Sequence, residues 1–242
     1  MNNQTDKKID ILAFGAHPDD VEAGCGGLLI KSAQQGKKVG IVDLSYGELA
    51  SNGTVEIRQE EAQAAARIMG AEFRMNLGFP NNFFESSRET QSKIIEVIRT
   101  YKPETILLPY THDRHPDHMN VYSIVWPALF TSGLIKFENG LSPHRPKQVF
   151  MYRIWYSFDP SFYVDVSDVF EKKVAAMECH KSQFIKKTGA VETKNNGDNF
   201  MDYVRAQHRR DGFEINAQYA EPYLSPTPIG VNSTDNLLDN YS

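Results

Sequence analysis

Along the first half of the chain, short unbroken apolar runs alternate with longer stretches in which apolar residues recur every three or four positions. The first run, IDILAF (9–14), predicts a strand buried on both faces. The turn GAHPDD follows, and then VEAGCGGLLIKSAQQG predicts a helix with Val21, Leu28 and Leu29 turned inward and Gly36 as its stop. KKVGIVDLS predicts a second strand ending near Ser45. After the loop YGELASNG, with its Asn52-Gly53 turn signal, Thr54 is placed to cap a helix in which Ala62, Ala65, Ala66 and Met69 share one face. A third strand near 71–78 and the loop FPNNFFESS come next. A helix carrying Ile94, Val97, Ile98 and Tyr101, the strand PETILLPY and the loop THDRHPD complete the series. Strand and helix thus alternate four times, which predicts a parallel sheet covered on both faces and joined by right-handed crossovers.

The second half is less regular. A helix is expected over 118–132, broken or kinked near Pro127, with strands over 147–157 and 162–166 and helices over 167–187 and 198–211. The Pro, Ser and Asn after Tyr219 predict an irregular tail or one tied down at a subunit contact. The expected fold is α/β, a Rossmann-like, mostly parallel sheet with helices on both faces. It forms one domain over 1–242 with a less regular C-terminal part.

Composition narrows the functional classes. A formal net charge of −5 disfavours non-specific binding to nucleic acid. No apolar run approaches the ~20 residues of a membrane span, and MNNQTDKKID lacks the apolar centre of a signal peptide, so a cytoplasmic protein with no membrane partner is expected. Two cysteines, Cys25 and Cys179, make neither a disulfide framework nor a thiolate metal site, so a bound metal needs His and carboxylate ligands.

Two clusters offer them. His17-Pro18-Asp19-Asp20 and His112-Asp113-Arg114-His115-Pro116-Asp117-His118 each lie between a predicted buried strand and a predicted helix. In an open α/β sheet, ligands bind beyond the carboxyl ends of the strands where strand order reverses. With order 3-2-1-4, the first and fourth strands are neighbours at that reversal, and the two clusters meet in one cleft. Hydrolytic zinc sites use three N/O ligands and leave one position for water, and ferrous iron suits the same ligand types. His17 and Asp20 can turn inward around Pro18 while Asp19 points elsewhere, toward a water whose proton it could take. Of His115 and His118, one can ligate and the other can donate to an oxyanion. Asp117 is expected to orient one of these two imidazoles.

Simpler readings compete. Asp after a strand is an ordinary helix cap, and three His within seven residues can be a solvated loop. Their recurrence at corresponding strand ends argues against both. Gly24-Cys25-Gly26-Gly27 invites a dinucleotide reading, but position 29 is Leu and the glycines fall inside the helix, so close packing on the sheet is the expected role. Cys25 is expected to be a small buried apolar group.

AHPDD (16–20) and HPDH (115–118) resemble the signature of the LmbE-like, or PIG-L-type, zinc N-deacetylases. GELASNGTVEIRQEE (47–61) and YAEPYLSPTPIGV (219–231) are similar to the bacterial branch that makes bacillithiol. The resemblance implies one Zn2+ per chain on His17, Asp20 and His118, with Asp19 as general base and His115 stabilising the tetrahedral intermediate. It implies that Arg58 contacts substrate, and Arg114 and Tyr203 are further candidates for that role. The implied reaction removes acetate from an N-acetylglucosamine unit, first of all N-acetylglucosaminyl-L-malate. Another N-acetyl sugar or a bacillithiol conjugate is the nearest alternative, and a two-metal phosphoesterase or a nucleotide-binding Rossmann module the more distant ones. The resemblance also implies a homo-oligomer, with a hexamer as the expected form and residues 140–242 completing the pocket and the oligomer contacts.

Overall fold

The computed structural model describes residues 7–186 and 188–230. Seven strands form one sheet in the order β3-β2-β1-β4-β5-β7-β6. The four predicted β/α units are present. They are β1 (Ile11–Gly15), α1 (Asp20–Gln34), β2 (Val39–Ser45), α2 (Val55–Met69), β3 (Phe73–Phe79), α3 (Arg88–Tyr101), β4 (Thr105–Pro109) and α4 (Pro116–Ser132). β1 pairs in parallel with β2 on one side and β4 on the other, so the order reverses between β1 and β4 as expected.

Alternation along the central strands sorts side chains between two cores. Leu12, Phe14, Val42 and Leu44 pack with Ile94, Ile98, Val121 and Ile124 on the α3/α4 side. Ala13, Val39 and Ile41 pack with Val21, Leu29, Ala65 and Met69 on the α1/α2 side. The Thr54 cap also holds, its side chain accepting from Ile57 N, and Gly70 ends α2 in the left-handed conformation.

The second half departs from expectation in four places. α4 continues through Pro127 to Ser132 with no break. The strand expected over 147–157 is shorter, β5 (Gln148–Tyr152), and β6 (Phe162–Asp165) follows. The helix expected over 167–187 is two, α5 (Phe170–Glu178) and α6 (Lys181–Phe184), and position 187 lies outside the described residues. The break falls at His180, whose imidazole turns inward to bond Glu22 on α1. α7 (Phe200–Phe213) matches its prediction.

The largest correction concerns the tail. Ala220–Leu224 is not irregular. It is β7, inserted between β5 and β6 and antiparallel to both. Residues 231–242 of the expected tail lie outside the described residues. β7 carries Glu221, which explains the glycine run in α1. The helix is interrupted at Cys25 (φ −137°, ψ 17°), and the Glu221 carboxylate accepts from Gly27 N and Leu28 N at 2.8 Å each. Lys173 Nζ bonds both Glu221 and the Ala23 carbonyl, so both sides of the interruption are satisfied by β7 and α5. The glycines permit this approach. A Cβ at Gly24 would lie 2.1 Å from Tyr152 Cδ2, and one at Gly27 2.8 Å from Glu221 Oε1. The glycines therefore serve packing, as expected, and Cys25 is fully buried among apolar neighbours.

Candidate active site

Beyond β1 and β4 the two clusters meet. Asp20 is the first residue of α1, and its Oδ2 accepts from Ala16 N and His17 N, both at 2.9 Å. Its Oδ1 faces His118 Nε2 at 3.1 Å, and His17 Nδ1 lies 3.5 Å from Oδ2. The outer nitrogens of the two rings are occupied. His118 Nδ1 donates to Asp113 Oδ1 at 2.9 Å, and His17 Nε2 to Asp117 Oδ2 at 3.0 Å. With the outer nitrogens so engaged, His118 Nε2 and His17 Nδ1 are the nitrogens that face Asp20, and loss of their protons would free both to ligate an ion there. Ligands at about 2.05 Å in a tetrahedron stand about 3.3 Å apart. The 3.1 and 3.5 Å spacings fit a divalent ion on His17, Asp20 and His118.

His115 is the rival fourth ligand, since its ring nitrogen falls within 4.8 Å of those of His17 and His118. Its Nδ1 accepts the Asp117 amide at 3.2 Å, which makes Nε2 the protonated nitrogen of the neutral ring. It therefore presents an N–H rather than a lone pair to the site. The same bond makes His115 the N-cap of α4, so capping and site roles coexist. Burial, with the His17 and His118 charges, lowers its pKa to about 4.

Asp19 holds an unusual backbone (φ 133°, ψ −23°) and, although it precedes α1, makes no capping bond. A non-glycine residue there is strained by about 1–3 kcal/mol. The conformation turns its carboxylate away from the helix, into the cleft and toward Arg58. Burial raises the Asp19 pKa to about 6 despite the opposing Arg58 charge. For His118, burial works downward, but Asp20 and Asp113 overcome it and raise the pKa to about 10. The pair of carboxylates favours a cation at this point.

Arg58 pairs with neither Glu56 nor Glu61. Its guanidinium donates to Gly47 O and Pro18 O at 2.9 Å each and lies 3.4 Å from Asp19 Oδ2. It is buried along the cleft and holds the Asp19 turn. A Cβ at Gly47 (φ +65°) would fall 2.0 Å from Arg58 Nη1. Arg114 and Tyr203 both line the cleft, whose volume is about 280 Å³.

Asp117 reaches His115 as expected, but through its backbone N–H. Its carboxylate instead holds His17, across the cleft, together with Asn81 Nδ2 (2.7 Å) and Asn82 N (2.8 Å). The residue that holds His118 is Asp113, which sequence reasoning passed over although it lies in the same cluster. Asn81 and the buried Glu22–Arg74–Asp43 network under α1 were also missed.

Two imidazoles and a carboxylate converging at the switch point of a parallel sheet, with a second carboxylate beside them but outside the ligand set, define a metal enzyme of the kind that activates water. Comparison with known proteins agrees. The PIG-L family, described as GlcNAc-PI de-N-acetylase, matches residues 12–129. The diacetylchitobiose deacetylase of Thermococcus kodakarensis is 31% identical, with 72% of this chain and 70% of that protein covered. The conserved protein TT1542 from Thermus thermophilus superposes with a TM-score of 0.84 at 34% identity, over 92% of this chain and 97% of that one. At 27% identity come the 4-oxalmesaconate hydratase of Pseudomonas putida (76% of this chain, 77% of that one) and a probable N-acetyl-alpha-D-glucosaminyl L-malate deacetylase 2 of Bacillus cereus (72% and 83%). The chain belongs to the PIG-L family.

Proposed function

We propose that the chain is a metal-dependent N-deacetylase acting on the N-acetylglucosamine unit of a small glycoside, with N-acetylglucosaminyl-L-malate as the first substrate to test. The observation that carries the reading is Asp19: a strained, buried carboxylate that neither caps its helix nor joins the ligand set, directed into the cleft beside both. His17, Asp20 and His118 would hold the ion, which supplies a water of lowered pKa and polarises the acetamide carbonyl. Asp19 accepts the proton of the attacking water. The His115 Nε2–H donates to the carbonyl oxygen as charge develops on it. Asp19 then returns the proton to the departing amine, and acetate and a free glucosamine leave. Arg58 keeps the Asp19 carboxylate aimed at the reaction rather than at the α1 amides.

The single His cluster among the described residues supports one ion per chain and not a two-metal phosphoesterase. Zinc is the expected ion, and ferrous iron suits the same donors. Similarity to the Bacillus cereus relative supports the malate glycoside, and the chitobiose deacetylase marks the neutral alternative. Asp19→Ala tests the reading. Metal content should stay near that of the parent protein while release of acetate and free amine collapses by about 10²-fold or more. Loss of metal together with activity would make Asp19 a ligand. Water addition to an unsaturated acid, with no amine released from any N-acetyl sugar, would move the chain to the hydratase side of the family.

A further inference from the structure

Away from the ligand set, the cleft is lined by Trp155, Arg114 and Lys194. The Arg114 guanidinium carbon lies 4.7 Å from the Trp155 ring centroid and Lys194 Nζ 4.8 Å from it. The cations come from separate segments, and among the described residues neither forms an ion pair. The carboxylates lining the cleft, Asp19 and Asp20, are turned to Arg58 and to the imidazoles. Two exposed cations thus share the face of one ring, and among the described residues no carboxylate pairs with either.

The backbone that carries Trp155 and Lys194 is tied down. Trp155 N donates to Asp113 Oδ2 at 3.1 Å, and Asp113 is the carboxylate that holds His118, so the indole is tied to the ligand set. Lys194 sits in a segment fastened by the buried Asn196, which bonds Thr193 N and Val191 O. Asn52 bonds both backbone groups of Val191.

We propose that Trp155, Arg114 and Lys194 form an anion subsite, so that the substrate carries a carboxylate or phosphate in addition to its acetamide. This rests on the deacetylase reading. The test uses three glucosamine glycosides, alike except for a methyl, a carboxylate or a phosphate substituent. They are already deacetylated and do not turn over. Titration calorimetry on the metal-loaded protein should show one of the charged glycosides binding at least about tenfold more tightly than the methyl one, with the preference shrinking as salt rises. The tighter of the two identifies the anion. Lys194→Glu should cut the preference by about tenfold, and Arg114→Gln should reduce it as well. A parent preference below about twofold, or one that Lys194→Glu leaves unchanged, overturns the proposal. Amine release from the acetylated methyl glycoside is measured separately. Its failure would remove the deacetylase reading and leave the binding preference measurable.

Discussion

Glu221→Gln should be among the most destabilising single changes outside the core. The carboxylate is fully buried and accepts four bonds, from Gly27 N, Leu28 N, Lys173 Nζ and Tyr223 OH. The amide keeps the shape but removes the charge: Lys173 stays fully buried facing only neutral oxygens, and one acceptor for the α1 amides becomes an NH2 donor. Breaking one side of a buried pair costs about 3–5 kcal/mol. For a chain of this size that is a fall of about 6–20 °C in Tm. It is also about a fifth or more of an ordinary domain stability. Adding Lys173→Met should recover most of the loss, because the stranded charge is then gone, leaving a deficit of about 1–2 kcal/mol from weakened bonds to the two amides. Urea unfolding of parent, single and double variants, followed by circular dichroism, measures all three. A single variant within about 1 kcal/mol of the parent would refute the reasoning, as would a double variant no more stable than the single.

Further expectations follow from other contacts. Asp113→Asn should weaken metal binding by about 10–100-fold in chelator competition, because it loosens the His118 ring; unchanged affinity would count against that role. Asp19→Gly should abolish turnover yet raise Tm by about 2–4 °C for each kcal/mol of strain relieved, whereas Asp19→Asn keeps the strained φ and should gain less. Gly47→Ala should displace the Arg58 guanidinium and reduce kcat more than metal content; equal loss of both would indicate general misfolding. His208 has its pKa held well below the usual value, by burial first and then by the Lys173 charge. Below about pH 6.5 the unfolded chain therefore binds a proton that the folded chain refuses, and stability falls by up to about 1.4 kcal/mol per pH unit. His208→Gln should remove that share of the slope between pH 6.5 and 5, and an unaltered slope would show that His208 does not carry it.

The first four β/α units were legible because each has its own local signal, an apolar run or an apolar face at helical spacing. The meeting of the two His/Asp clusters was legible too, since it depends only on strand order. β7 was not. AEPYL reads as tail because it contains Glu and Pro, and its burial becomes intelligible only with Lys173 on α5 and the glycines of α1 in place. The partner of the Asp117 carboxylate was hidden for the same reason. Sequence neighbours suggested His115 or His118, while the ring that the carboxylate holds comes from across the cleft. The break at His180 likewise answers a partner, Glu22, that periodicity within one segment cannot reveal.

Among the described residues β7 follows every other element in chain order, yet it sits inside the sheet. Synthesis releases the chain from its N-terminus, so the helix bearing Asp20 emerges long before Glu221. Until that strand docks, the amides at the Cys25 interruption have no carboxylate to bind, and the two parts of α1 lack the brace between them. Asp20 lies on the first part. The ion-binding geometry is therefore braced by a strand far along the chain from the ligand it supports, and assembling the site waits on a long-range docking event.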